Sequence, residues 1–212
     1  SGAGSSMELI HPTLDNDLGG SWRSAGMQSG PISPMILLRS DQNGWSYREG
    51  TSEPSVPPSA WRRLGFKEDD SWEKGRTPIG YGDGDDRTIL SMQNQYTSVY
   101  LRREFNVVNE KVPSALVIRV YVDDGAVVWI NGKEVARVSV PSGPLRHDSL
   151  ANDHEAKWEE VLIPNANQII NPGKNIISIH VLNATRGSSD LSIDVELRTP
   201  SVDKNFGAPT PG

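Results

Sequence analysis

The sequence predicts an all-β fold, an antiparallel β-sandwich, and three observations support this prediction. The 212 residues include 20 glycines and 15 prolines, a composition typical of many turns and few long helices. Short segments in which apolar and polar residues alternate recur from Tyr96 onward. Asn131-Gly132 lies between two of them, and Asn-Gly favours a tight hairpin because both central residues must tolerate positive φ. Seven or eight short strands separated by Gly, Pro and Asp turns indicate two packed antiparallel sheets.

The alternating segments are predicted as strands in chain order. They are residues 96–107, 115–122, 126–130, 133–140, 158–163, 175–182 and 191–197. Helix is predicted only as single turns near residues 59–64, with Ser59 as the N-cap, and near residues 166–170. In the first strand Arg103 is in phase with apolar residues. Because a buried guanidinium needs a carboxylate partner, we expect Asp123 or Asp190 to provide one.

Both ends of the chain are predicted to lie outside the sandwich. The opening residues 1–7 resemble an expression tag, and the Gly-, Ser- and Pro-rich stretch after them has no regular periodicity. We therefore expect residues 1–35 to be a tag and a linker or strap, and residues 36–200 to be the β-sandwich module. Residues 201–212, which contain two prolines, are predicted to be a flexible tail.

Composition restricts the partners of the chain. The formal net charge is −6 and no run of basic residues is present, which argues against nucleic acid as a partner. No apolar stretch approaches the length needed to cross a membrane, so no membrane partner is expected. Six tryptophans accompany only three phenylalanines, and tryptophan serves either as a core residue or as a flat stacking surface. The chain has no cysteine, so the fold has no disulfides. A monomer is expected.

Several motifs in the middle of the chain resemble those of a known family. They are Asp69-Asp70-Ser71-Trp72, Tyr100-Leu101-Arg102-Arg103 and the segment Asp123-Asp124-Gly125 followed by Asn131-Gly132-Lys133. Together they resemble the galactose-binding-like jelly-roll domains attached to bacterial polysaccharide-active enzymes, and the non-catalytic sugar-binding domain of family 2 glycoside hydrolases. The resemblance covers residues 40–198. It implies an accessory domain of a secreted bacterial multidomain protein, which commonly binds carbohydrate and often holds a structural calcium ion.

A set of aromatic and amide side chains is predicted to bind sugar. Flat aromatic rings pack on the C–H faces of sugar rings, while neighbouring polar groups hydrogen-bond the hydroxyls. The predicted set is Tyr81, Tyr121, Trp129, Asn131 and Trp158. Hairpin pairing is expected to bring Tyr121 and Trp129 close to Arg119 and Asn131, whereas Trp61 and Trp72 are expected in the core.

The segment Gly82–Asp86 is the strongest candidate for a cation site. Three carboxylates, those of Asp83, Asp85 and Asp86, lie within four positions, and the neighbouring glycines allow the backbone to curl around an ion. Ca²⁺ takes six to eight oxygen ligands of this kind, so the prediction is a structural Ca²⁺ site. A solvated acidic turn is the alternative. The histidine–acid pairs at residues 146–148 and 152–155 suggest either a transition-metal site or a solvated loop.

No catalytic constellation is evident, so the sequence does not predict an enzyme. It lacks a Gly-x-Ser-x-Gly elbow, a phosphate-binding loop and a cysteine nucleophile. The predicted function is that of a non-catalytic carbohydrate-binding module in a larger secreted polysaccharide-active protein, with a polysaccharide and neighbouring domains as partners. The alternative is a spacer or adhesion module that packs on neighbouring domains without binding sugar. Binding predicts at least two exposed aromatics in one groove, whereas a spacer predicts that all of them are buried.

Overall fold

The computed structural model describes residues 33–108 and 112–201, together with the backbone of two further strands, β1 (Met7–Leu9) and β2 (Trp22–Ser24). Residues 35–200 form one compact unit. In the other unit β1 and β2 pair antiparallel, although the sequence of this segment has no alternating pattern. The predicted tail at 202–212 lies outside the described residues. Within the described part, no helix is long and apolar enough to cross a membrane.

The unit from 35 to 200 is a sandwich of two sheets, which confirms the predicted all-β fold. Sheet I contains β3 (Ile36–Leu38), β6 (Ile79–Tyr81), β7 (Thr88–Ile89), β9 (Ala115–Asp123), β12 (Lys157–Pro164) and β14 (Leu191–Arg198). Sheet II contains β4 (Asn43–Glu49), β5 (Glu73–Arg76), β8 (Ser98–Val107), β10 (Gly125–Ile130), β11 (Lys133–Val138) and β13 (Gly173–Leu182).

The strand order and the alternation of side chains define the core and the two outer faces of the sandwich. Sheet I runs β12-β9-β14-β6-β7, with β3 paired to the other end of β14, and sheet II runs β11-β10-β13-β8-β4-β5. Pairing is antiparallel except between β6 and β7, which are parallel. Alternate side chains of each strand enter a shared core, for example Val99 and Leu101 of β8 and Ile118 and Val120 of β9. The intervening side chains therefore form the two outer faces.

The sequence implies two hairpins, one at Asn131-Gly132 and one between segments 115–122 and 126–130, whose pairing was expected to bring Tyr121 and Trp129 together. The first is confirmed and the second is wrong. Asn131 and Gly132 have φ values of 51° and 82° and join β10 to β11 as the predicted hairpin. Strands β9 and β10, however, are not neighbours: β9 lies between β12 and β14, and β10 lies between β11 and β13. The segment Asp123–Gly125 therefore carries the chain from sheet I to sheet II. A two-residue turn and a short crossing between sheets have similar sequences, because both need small, polar residues.

The predicted partner of Arg103 is also corrected. Neither Asp123 nor Asp190 forms an ion pair with it, and within the described residues no carboxylate does. The buried ion pair belongs to the neighbouring Arg102, whose Nη1 lies 2.9 Å from Oε1 of Glu68. Arg102 points to the outer face of sheet II, where the segment before β5 covers it. That covering segment could not be inferred from the phase of β8.

The helical turns are found as predicted, but the strands before residue 90 were missed. The two turns are 3-10 helices, Ala60–Arg62 and Ala166–Gln168, and Ser59 is the N-cap without a side-chain hydrogen bond to the turn. Strands β3 to β7 have two to seven residues, and several contain glycine or border proline. The segments of two to four residues give too few alternations to show a two-residue period. In the longer β4, alternation is limited to Trp45, Ser46 and Tyr47, between Asn43-Gly44 and the charged pair Arg48-Glu49.

Candidate functional site

The register of three strands aligns an aromatic and acidic row on the outer face of sheet I. Tyr121 of β9 lies directly opposite Trp158 of β12 and Asp194 of β14. Residues directly opposite each other in an antiparallel pair share a face. The Tyr121 and Trp158 rings accordingly lie 5.6 Å apart between centroids, tilted by 52°.

The row lines a shallow cavity of about 270 Å³. Its wall is completed by Pro78 and Asp85. The Trp158 side chain is 37% exposed, and Tyr121 is half-buried. Burial and then repulsion from the nearby aspartates raise the pKa of the Tyr121 hydroxyl. The cavity therefore combines two accessible ring surfaces with carboxylate acceptors.

A second row on the same face fixes the ring of Trp158. The guanidinium of Arg119 lies 4.8 Å from the centroid of the Trp158 ring, a cation–π contact. Its Nε lies 2.9 Å from Oε1 of Glu160 and its Nη1 lies 3.7 Å from Oε1 of Glu196. Because β9, β12 and β14 hold these residues in register, Arg119 packs on the ring of Trp158, which also lines the cavity.

Asp194 is held rigidly at the floor of this face. Its Oδ2 accepts a hydrogen bond from the backbone N–H of Asp41, and its Oδ1 accepts one from the N–H of Val195. Burial nevertheless raises its pKa. Asp85, in contrast, is exposed. The two carboxylates therefore differ in character, one fixed and buried, the other free to reorient toward a ligand.

The predicted cation residues converge beside this cavity. Carboxylate oxygens of Asp83, Asp85 and Asp86 lie within 4.8 Å of one another in the loop between β6 and β7. The loop curls through Gly82 and Gly84, whose φ values are 111° and 80°. Asp85 belongs both to this cluster and to the cavity wall.

One carboxylate of the cluster is anchored on sheet I. Ser192 Oγ of β14 donates a hydrogen bond of 2.9 Å to Oδ1 of Asp86, whereas Oδ2 is buried and has no hydrogen-bond partner among the described residues. Burial, reinforced by repulsion from Asp83 and Asp85, raises the pKa of Asp86 to about 6 despite the Ser192 hydrogen bond. Ser192 and Asp194 are two residues apart on one strand and so share a face, which places the loop next to the aromatic row.

Comparisons with known proteins identify only distant structural neighbours. No protein family model matches the sequence, and no curated protein matches it. A β-glucuronidase from Bifidobacterium dentium is 19% identical, with a TM-score of 0.45, over 71% of this chain and 20% of its own. A β-glucuronidase from an uncultured Clostridium species is 16% identical, with a TM-score of 0.47, over 80% of this chain and 30% of its own.

A third neighbour is a glycosyl hydrolase family 2 member from Bacteroides cellulosilyticus. It is 15% identical, with a TM-score of 0.48, over 76% of this chain and 20% of its own. The chain thus spans less than a third of the length of the solved proteins it matches. Neighbours at this level of similarity do not determine the function of the chain.

The structure does not bring the other predicted sugar-binding residues to the cavity. Tyr81, the last residue of β6, is buried in the core. Its hydroxyl donates to the carbonyl of Ser188 and accepts from Nδ2 of Asn183. Trp129 is 3% exposed, on the outer face of sheet II, with the guanidinium of Arg62 3.8 Å from its ring centroid.

The side chain of Asn131, also predicted to bind sugar, is hydrogen-bonded within the protein instead. Its Nδ2 donates to the carbonyl of Ile169 and to Oδ1 of Asn175, and its Oδ1 accepts from the N–H of Ile176. The expected proximity of Tyr121 and Trp129 depended on β9 and β10 forming a hairpin. Since they belong to different sheets, the two rings lie on opposite faces of the sandwich.

The histidine-containing loops show no metal-binding geometry in the described part of the chain. Nδ1 of His147 lies 3.1 Å from Oε1 of Glu53, and Nε2 of His154 lies 3.3 Å from Oε1 of Glu159. Neither belongs to a group of three potential ligands. The fourth histidine of the chain, His180, is buried in β13 and stacks on Tyr100 with 4.2 Å between ring centroids. Its ring nitrogens have no partner among the described residues, and burial lowers its pKa to about 3.

The sequence analysis did not identify Asp194 and Pro78 as cavity residues. It placed Arg119 near Trp129, whereas in the structure Arg119 contacts Trp158. Asp194 could have been found, because it alternates in phase with Ser192 and Glu196 on the polar side of β14. Its position opposite Tyr121 depends on the register between β14 and β9, for which the sequence has no marker. Pro78 precedes a strand that was not predicted.

Proposed function

We propose that the chain is a non-catalytic carbohydrate-binding module that holds a sugar on the outer face of sheet I. The observation that carries this proposal is the accessible pair of Tyr121 and Trp158 beside Asp85 and Asp194 in one cavity. Sugar rings present apolar C–H faces and peripheral hydroxyls, and such a surface offers both an aromatic wall and hydrogen-bond acceptors. The shallow shape of the cavity suits part of a chain rather than an enclosed small molecule.

The charges around the cavity support a neutral sugar as ligand. Asp83 and Asp86 lie next to Asp85 and add negative charge at this edge of the sheet. Arg119, which packs on the ring of Trp158, already pairs with Glu160. A carboxylate-bearing sugar would meet repulsion from these aspartates, whereas hydroxyl groups would donate to them.

Binding by this surface is expected to be weak. One or two stacked rings contribute a few kcal/mol, so dissociation constants of about 0.1–1 mM are expected. Weak binding suits an accessory module that keeps a neighbouring catalytic domain near a polysaccharide. We accordingly propose that the chain is part of a larger secreted polysaccharide-active protein and acts as a monomeric unit within it, with a glycan and the neighbouring domains as partners.

Affinity electrophoresis against a panel of neutral polysaccharides tests the proposal. At least one polysaccharide is expected to retard the protein, and Trp158→Ala is expected to reduce the affinity about tenfold, since one stacked ring contributes roughly 1–2 kcal/mol. Leu162→Ala is the matched control. Leu162 is exposed on the same strand and the same face but does not line the cavity.

The control variant should behave like the unmodified protein. If no polysaccharide retards the protein, the spacer or adhesion function is favoured instead. If Trp158→Ala and Leu162→Ala are retarded equally, the binding surface lies elsewhere.

We further propose that Asp83, Asp85 and Asp86 hold a Ca²⁺ ion. The arrangement fits an ion because one buried carboxylate oxygen of Asp86 has no hydrogen-bond partner among the described residues, and because three carboxylates crowd one loop. A divalent cation would offset both the burial and the smaller repulsion from Asp83 and Asp85 that raise the pKa of Asp86. Since Asp85 also lines the sugar cavity, the ion would fix one wall of the binding surface.

Thermal unfolding in EDTA and in CaCl₂ tests the cation site. At a Ca²⁺ concentration of about 100 Kd, stabilisation of ~2.7 kcal/mol is expected, corresponding to a rise in Tm of roughly 8 °C for a domain of this size. Asp85→Asn is expected to abolish the rise, whereas Asp70→Asn, a change at an exposed aspartate outside the cluster, should preserve it. An identical Tm in EDTA and CaCl₂ would exclude the site.

A further inference from the structure

The outer face of sheet II buries a histidine beneath a connecting segment. His180 of β13 is 1% exposed, and its ring stacks on that of Tyr100 on β8 with 16° between the ring planes. The cover segment, residues 51–72 between β4 and β5, carries the 3-10 turn of Trp61, which lies against β13. The Trp61 ring contacts Tyr100 on one side of β13 and Trp129 on the other. The imidazole therefore lies between the sheet and the cover segment.

The surroundings of this imidazole disfavour a positive charge. Neither ring nitrogen of His180 has a hydrogen-bond partner among the described residues. The strands on either side place Val127 and Tyr100 opposite it, and neither is charged. Burial, and then repulsion from Arg62 of the cover segment and from His147, lowers the pKa of His180 to about 3. A protonated His180 would be desolvated and without a counter-ion while the cover segment is in place.

The charged groups one position further away are already engaged. Arg48 of β4 lies opposite Tyr100 and hydrogen-bonds Ser52 and Ser71. Glu53 of the cover segment accepts from the backbone N–H of His147, and the same oxygen lies 3.1 Å from Nδ1 of that histidine. The carboxylate on this side of the sheet is therefore held by His147 rather than by His180.

The cover segment is attached by side chains rather than by strand pairing. Trp61 and Trp72 pack on the outer face of sheet II. Arg102 of β8 binds Oε1 of Glu68 at 2.9 Å and donates to the carbonyl of Arg63. In the described structure, no backbone-to-backbone hydrogen bond joins the cover segment to a strand. The segment can therefore open without breaking the pairing of either sheet.

We propose that the cover segment opens in acid and that His180 is the group that takes up the proton. Opening hydrates the imidazole, so between about pH 3 and pH 6.5 the open state binds a proton that the closed state does not. Above about pH 6.5 the ring is neutral in both states and opening does not depend on pH. Below it, each pH unit raises the opening constant about tenfold, until the closed state is protonated as well. The open state exposes Tyr100 and Trp129, on the opposite side of the sandwich from the sugar cavity.

Native-state hydrogen exchange at pH 7 and pH 4.5 tests the proposal, with each rate corrected for the intrinsic effect of pH. The probes are the amides of Arg62 and Phe66, whose hydrogen bonds lie within the cover segment. Their opening constant is expected to be roughly 75-fold larger at pH 4.5, while the amides of β9 stay better protected. In His180→Phe, which keeps a ring to stack and removes the titration, this pH dependence should be lost. His147→Gln, the matched control at the neighbouring histidine, should retain it.

Four results would overturn the proposal. They are an equal opening constant at the two pH values, an undiminished rise in His180→Phe, loss of the rise in His147→Gln, and equal protection of the cover segment and β9 at pH 4.5. The last would mean that exchange requires unfolding of the whole sandwich. If His180→Phe does not fold, the imidazole NMR signals of His180 in the unmodified protein decide. Their midpoint must lie well below pH 6.5, and a midpoint at the ordinary value would contradict the proposal.

Discussion

The outer faces of the two sheets carry the same kinds of residue but use them differently. On sheet II, Trp129 and Tyr100 are covered by Trp61 and Trp72, which come from the segment between β4 and β5. On sheet I, Trp158 and Tyr121 have no such cover and remain accessible. The role of a tryptophan in this protein is therefore decided by whether a connecting segment folds over its strand.

The covered face is a second apolar core. Trp61 lies 5.0 Å from Tyr100 and 5.9 Å from Trp129 between ring centroids, in edge-to-face arrangements. Such pairs are worth about 0.5–1.5 kcal/mol beyond the area they bury. Arg62 adds cation–π contacts with Trp129 and Trp61, at 3.8 and 5.6 Å from the ring centroids. The 3-10 turn that contains Trp61 thus packs the segment between β4 and β5 against the outer face of sheet II.

The largest expected effect is a difference in stability between two tryptophan substitutions, one on the outer face of each sheet. Trp61→Ala is expected to lower the free energy of unfolding by about 3–5 kcal/mol, because Trp61 is 0% exposed and the cavity it leaves is lined by rigid rings. Trp158→Ala should cost about 1 kcal/mol or less, since its ring is partly hydrated already. Urea denaturation of both variants, followed by circular dichroism, measures the difference.

Sugar binding should show the reverse order. Trp61→Ala protein that remains folded at low temperature is expected to bind polysaccharide normally, while Trp158→Ala is not. Equal losses of stability would mean that the outer face of sheet I is as firmly packed as that of sheet II.

The second prediction concerns Asn131. The sequence suggested it as a sugar ligand, but in the structure its side chain is hydrogen-bonded to Ile169, Asn175 and Ile176. Asn131→Ala is expected to reduce the free energy of unfolding by about 2–3 kcal/mol, because it removes three hydrogen bonds and leaves alanine at a positive φ. Asn94→Ala is the matched control, since Asn94 also has a positive φ, of 64°, but is exposed.

The difference between the two variants isolates the hydrogen bonds from the backbone conformation. Polysaccharide affinity should be the same in both. A loss of affinity in Asn131→Ala alone would place a ligand contact on the hairpin and contradict the assignment of binding to the outer face of sheet I.

The sequence was sufficient to predict the long strands, and the reason is their period. From β8 onward each strand has at least six residues, so either an alternation or, as in β10, a continuous apolar run is evident, and the Asn131-Gly132 hairpin follows from turn chemistry alone. Pairing between strands distant in the chain leaves no such trace. The prediction for Asp123–Gly125 was wrong for this reason, because the same residues suit a turn within a sheet or a crossing between sheets.

The candidate site was predictable only in parts that are local in sequence. The aspartate cluster occupies four consecutive positions of one loop, so its members had to be close. Tyr121 and Trp158 were recognised as candidates, but their proximity depends on the register of β9 and β12. The burial of Trp129 depends on a connecting segment some sixty residues earlier in the chain, and no periodicity within β10 reveals it.

The smallest expected effect concerns Asp123, at the point where the chain leaves sheet I for sheet II. Its side chain is 7% exposed, and burial, reinforced by repulsion from Asp190 and Asp124, raises its pKa from 3.8 to about 7. Below about pH 4 the carboxyl is neutral in both the folded and the unfolded chain. Between about pH 4 and pH 7 it ionises only in the unfolded chain, so stability falls as the pH rises.

Asp123→Asn should therefore leave stability unchanged at pH 4 and raise the free energy of unfolding by about 1–2 kcal/mol at pH 8, where the full cost of the buried charge is present. Urea denaturation at the two pH values, in EDTA to exclude cation binding, measures this gain. Asp70→Asn, at an exposed aspartate, should show no gain at either pH. A destabilising effect of Asp123→Asn at pH 8 would contradict this prediction. It would mean that the ionised carboxylate stabilises the segment that crosses from sheet I to sheet II.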